Sequence, residues 1–75
     1  MVVRIDGAAL RRAREARGLS RAELLRHVEA AGYQLALSTL CNVERGRTPA
    51  PSLAVVVGLC RVLGLSVDSV VVVAA

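Results

Sequence analysis

Residues 38–47 read STLCNVERGR, a run in which small polar, apolar and charged side chains follow one another in no evident order. Wound into a helix, the run sorts itself, because each residue turns about 100° around the axis. With Leu37 at the origin, Cys41, Arg45, Ser38 and Asn42 fall within an arc of under half the circle. Leu40, Val43, Thr39 and Ala36 fall on the other side, and Glu44 lies at the boundary. The segment from about Ala36 to Arg45 therefore reads as a short helix ended by Gly46. Leu40 and Val43 anchor it, while Leu37, Ser38, Cys41, Asn42 and Arg45 face outward.

Two helices are expected before it. Asp6 offers an N-cap to GAALRRAREAR, and Gly18 can end that helix in a left-handed cap. Leu10, Ala13 and Arg17 share its inner face, with Arg14 at the edge. SRAE, beginning at Ser20, is a capping box with Glu three residues after the cap. Leu24, Leu25, Val28 and Ala31 follow at helical spacing, Gly32 can stop the helix, and YQLA reads as a connector. On the far side, RTPAP is a turn with two prolines, and Ser52 caps a fourth helix closed by Gly64. Its inward stripe is Leu53, Val56, Val57, Cys60 and Leu63. SVDS gives a short helical turn. VVRI near the start and VVVV (Val70, Val71, Val72, Val73) near the end are β-prone and too short to stand alone. They are expected to pair in a small two-stranded sheet.

Seventy-five residues make one domain with a thin core. Tyr33 is the sole aromatic, so Leu, Val and Ala must fill that core, a composition that favours closely packed helices. The expected fold class is all-α, a compact domain of four to five helices with the small sheet added, spanning residues 1–75. The formal charge of +4 rests on Arg with no Lys. GC-rich codon usage accounts for the missing Lys but not for where the Arg residues stand. A guanidinium fork pairs bidentately with phosphate. Cys41 and Cys60 have no CxxC partner and no nearby His pair, so no zinc site, other metal or cofactor is expected. No Ser-His-Asp set or phosphate loop can be assembled, and the reading is not of an enzyme. The longest apolar run, at the end of the chain, is too short to span a membrane, and the first nine residues do not resemble a signal peptide. A cytoplasmic protein with free thiols is expected.

A short helix with an outward polar face, after a capped helix and a turn, suits reading of the DNA major groove, although an ordinary surface helix has the same period. The order of elements separates the two. RGLS joins the first helices, ERG ends the third, PSL opens the fourth, and LGLSVD precedes the tail. In this order and spacing, the chain from about Leu10 to Val70 resembles the phage-repressor/Cro-type, or Xre-type, helix-turn-helix family, with the motif itself at about residues 20–46. The resemblance implies a sequence-specific regulator of duplex DNA, a dimeric repressor. It implies base contacts from Leu37, Ser38 and Asn42, with Cys41 on the same face, and phosphate contacts from Arg21, Arg47 and, beside the helix end, Arg45. It also implies a structural ion pair between Arg14 and Glu44.

Two departures from the family stand out. HVEAAGYQLAL is about five residues longer than the usual short turn, which implies an extended second helix. Ala36 and Leu37 stand where a polar cap and a polar reader are usual, so Leu37 would touch a thymine methyl rather than hydrogen-bond a base edge. Val55, Gly58 and Val62 lie off the inward stripe of the fourth helix. With Val70, Val71, Val72 and Val73 they leave apolar surface that a homodimer would cover. Two other functions fit the same pattern: an antitoxin-like protein-interaction module and a DNA-bending factor of phage recombination directionality. The first is disfavoured because the helical unit takes up nearly all of the chain.

Overall fold

The computed structural model of the chain describes residues 2–47 and 51–74. The elements run β1 (Val2–Ile5), α1 (Gly7–Ala16), α2 (Arg21–Ala30), α3 (Leu37–Glu44), α4 (Leu53–Leu63), a 3₁₀ turn (Val67–Val70) and β2 (Val71–Ala74). The middle of the expected RTPAP turn, residues 48–50, lies outside the described residues.

Three of the four helices begin as their caps dictate. The Asp6 carboxylate accepts the Ala9 N–H at 3.2 Å and the Ser52 hydroxyl accepts the Val55 N–H at 3.4 Å. At α2 the capping box is reciprocal: Ser20 Oγ accepts the Glu23 N–H at 3.1 Å, and Glu23 Oε1 accepts the Ser20 N–H at 2.9 Å. The Ser20 backbone and hydroxyl hold the Glu23 carboxyl below its usual range. The box is thus complete above the ordinary carboxylate pKa and is lost only as pH falls through the depressed value. Helix α3 has no side-chain cap, because Ala36 stands there.

The core is Leu10, Leu24, Val28, Leu40, Val43, Val56, Leu59, Cys60, Leu63 and Val70, all buried. Every helix contributes to it, and no ring does. Six residues differ from the sequence expectation. Arg17 and Ala31 are exposed, and Leu53, expected inward, is 71% exposed, because it opens α4 a full turn before Val56, the first residue of that face to be covered. Conversely, Gly58 is buried and Val55 and Val62 pack on the core. Gly58 is covered by Tyr33, whose ring lies so close that a β-carbon there would come within 2.8 Å of it. The sole aromatic thus covers a second side of α4.

The second helix runs for ten residues, from Arg21 to Ala30. Gly32, at φ 93°, closes it in a left-handed turn with its N–H on the Glu29 carbonyl. Residues 31–36 form the connector, which Tyr33 ties to α4.

The chain ends pair as expected, one residue out of the expected register. The strands are antiparallel, with Val2 opposite Ala74, Val3 opposite Val73, Arg4 opposite Val72 and Ile5 opposite Val71. Val70 belongs to the core and not to the strand: its side chain is fully buried, and its carbonyl accepts the Asp6 N–H at 2.7 Å. It is therefore unavailable to a dimer interface, and the exposed valines of the strand are Val72 and Val73.

At the start of α1, Gly7 is buried directly against the Val43 and Glu44 backbone at the end of α3. A β-carbon there would collide with the Val43 carbonyl, and neither backbone can yield without moving a helix. Gly7→Ala is expected to cost about 1–3 kcal/mol, the usual range for overpacking a tight contact. Urea denaturation followed by helical circular dichroism checks this; wild-type stability would mean that α1 and α3 do not meet there.

Candidate nucleic-acid interface

Helix α3 shows the two faces that its sequence implies. Leu40, Val43 and Glu44 are buried. On the other side Leu37 is 51% exposed, Ser38 is exposed, and Cys41 and Asn42 are half-buried. The four residues expected to read bases thus share one accessible surface. Arg45 and Arg47, both exposed, follow at its C-terminal end.

The backbone sets where Arg47 stands. Gly46 adopts φ 75°, its N–H bonds the Val43 carbonyl at 3.1 Å, and the Arg47 N–H bonds the Asn42 carbonyl at 2.8 Å. This paired closure is the Schellman motif. It turns the chain back so that Arg47 lies hydrogen-bonded to the same residue whose side chain faces outward. A residue with a β-carbon at position 46 would resist that left-handed turn.

Behind the surface, three charged residues meet. Arg14 Nε donates to Glu44 Oε2 at 2.8 Å and its Nη2 to Oε1 at 3.2 Å, a bidentate pair, while Nη1 donates to the Leu19 carbonyl at 2.8 Å. Only 9% of the Arg14 side chain and 1% of the Glu44 side chain are accessible. The hydrogen bond to Glu44 raises the Arg14 pKa, burial opposes it, and the guanidinium stays charged. The family resemblance implies this pair but not its third member. Arg21 Nε also donates to Glu44 Oε1, at 3.0 Å. The first residues of α2 are thereby tied to the end of α3. The signal for this contact is the position of Arg21 itself: a cation opening a helix faces the unfavourable end of the dipole, and a nearby carboxylate offsets that.

The two thiols differ. Cys60 is in the core, and burial pushes its pKa up, so it is an unreactive filler. Cys41 is half-buried on the outward face of α3. Among the described residues, no group of three or more His, Cys, Asp or Glu could hold a metal ion. Among the described residues, no helix is long and apolar enough to cross a membrane.

Glu44→Ala should destabilise the protein by about 3–5 kcal/mol, because it strands a buried guanidinium without a counter-charge. Calorimetric melting checks this, with Glu15→Ala, which removes only a solvent-exposed pair with Arg11, as the control expected to lie within about 1 kcal/mol of wild type.

No curated protein and no solved structure matched the chain. One family model did, that of the helix-turn-helix domain, over residues 7–71, from the first residue of α1 to the first of β2. The matched span contains all four helices, the outward face of α3 and the carboxylate that ties α3 to α1 and α2, and the chain belongs to the helix-turn-helix domain family.

Proposed function

We propose that the protein is a sequence-specific regulator of transcription, a cytoplasmic repressor that binds duplex DNA as a homodimer. A helix-turn-helix domain points to a DNA-binding regulator in general terms. The observation that carries the finer reading is the division of α3 into a buried half and an accessible half bearing Leu37, Ser38, Cys41 and Asn42. A helix so presented fits the major groove, whose width admits one helix and whose base edges differ in donors, acceptors and methyl groups.

Each residue then has a role set by its chemistry. The Asn42 amide can donate and accept at once, as an adenine edge requires. Leu37 meets a thymine methyl, Ser38 accepts or donates according to the base, and Cys41 packs beside them. Arg21, Arg45 and Arg47 take backbone phosphates, the contacts that set affinity and register but carry no sequence information. The dimer would form through exposed apolar residues, Val72 and Val73 of β2 or Leu53 at the start of α4. Two such units would read two half-sites.

Selection of binding sites from a random duplex pool tests the reading directly, and recovery of no enriched sequence would reject it. Asn42→Ala should lower affinity for the selected site by about 1–3 kcal/mol and relax preference at one base position. Arg47→Ala should weaken binding to all sequences alike and reduce the salt slope by about one unit. Asn42→Ala that weakens selected and unrelated duplexes equally would make Asn42 a backbone contact. For the dimer, Val72→Asp with Val73→Asp is expected to yield a monomer by analytical ultracentrifugation. A double variant that sediments like the wild-type dimer would place the interface elsewhere.

A further inference from the structure

The charges that meet behind α3 do not balance. Glu44 brings one negative charge, and Arg14 and Arg21 bring two positive ones. Arg14 is fully engaged, with Nε and Nη2 on the carboxylate and Nη1 on the Leu19 carbonyl. Arg21 is not. Its Nε donates to Glu44 Oε1, its two Nη groups make no hydrogen bond among the described residues, and 34% of its side chain remains accessible. A guanidinium is planar, so a bond that fixes the direction of Nε–H also fixes where the Nη edge points. Arg21 is also the first residue of α2, where free helix amides favour an anion.

We infer that Glu44 is a positioning residue for DNA binding: it holds the Arg21 fork by its Nε, turns the Nη edge outward to a backbone phosphate, and leaves one positive charge for that phosphate to balance. This rests on the DNA-binding reading above and adds to it a cause for the placement of one contact. The same carboxylate that locks α1 to α3 thereby aims a residue of α2. A Lys at position 21 could keep the charge, but a single ammonium has no second edge for Glu44 to orient.

The test is equilibrium binding of the full chain to a labelled mixed-sequence duplex, by fluorescence anisotropy over a range of salt. The proteins are wild type, R21A, R21K, E44Q and the E44Q/R21A double variant, each checked for folding by circular dichroism. R21A should weaken binding roughly tenfold, the loss of one charge-assisted hydrogen bond. E44Q should weaken it by a similar factor, and the double variant should be no weaker than either single one within about twofold, since both remove the same oriented contact. Factors that multiply in the double variant would overturn the inference and leave Glu44 a purely structural residue. R21K leaves the Arg14–Glu44 pair intact and stands on its own should E44Q fail to fold. It should lose most of what R21A loses, and R21K binding like wild type would overturn the inference by showing that charge alone suffices. In the DNA-free protein, the Arg21 Nε–H should be a slowly exchanging NMR signal; rapid exchange there would equally overturn it. Wild-type protein that binds no duplex at any salt would instead remove the DNA-binding reading, and this inference with it.

Discussion

One buried carboxylate holds the arrangement together. Glu44 closes α3, sits almost wholly out of water, and bonds a side chain from α1 and another from α2. Burying a charge is costly unless it is paired and its remaining lone pairs are used. Here both oxygens are satisfied, and no buried side-chain polar atom among the described residues lacks a partner. The apolar core could be met by many packings of Leu and Val, since such contacts are non-directional. A bidentate pair is directional, so it selects the one packing in which the end of α3 faces Arg14. Gly7 permits that packing, because only a residue without a β-carbon lets the start of α1 approach the Val43 carbonyl so closely.

Much of this was legible in the sequence because it is local. Caps at Asp6, Ser20 and Ser52, glycine at the helix ends and the two-sided wheel of α3 are written in residues within a few positions of each other. The pairing of the chain ends was legible too, since both segments are β-prone and neither could persist alone. What was not legible is set by contacts between distant residues. The register of β1 on β2 depends on Val70 being drawn into the core, which moves the strand one position along. The covering of Gly58 depends on where the connector lies, and no period in α4 encodes that. At the candidate site, the shared surface of Leu37, Ser38, Cys41 and Asn42 follows from periodicity, and the Arg14–Glu44 pair from family resemblance. The Arg21 link follows from neither, because it joins residues whose proximity exists only once α2 and α3 have packed.

The same division explains the long connector. Where a shorter turn would hold α2 and α3 at a fixed angle by its own geometry, residues 31–36 have enough freedom to require anchoring. Two anchors are present, at opposite ends of the motif. Tyr33 packs on α4, and Arg21 bonds Glu44. The orientation of α3 is thus imposed by its neighbours more than by the turn that leads into it, which relaxes the usual restriction on turn length.

The ring that makes the first of these anchors has a further use. The chain holds one Tyr, no Trp and no Phe, and that Tyr lies against the α-carbon of Gly58. Ultraviolet absorption and emission from aromatic side chains therefore arise at a single point, the seam between the connector and α4. In most proteins such a signal averages over many environments. Here it reports on one contact, so an event that shifts the connector relative to α4 carries its own optical label, with no residue added to the chain.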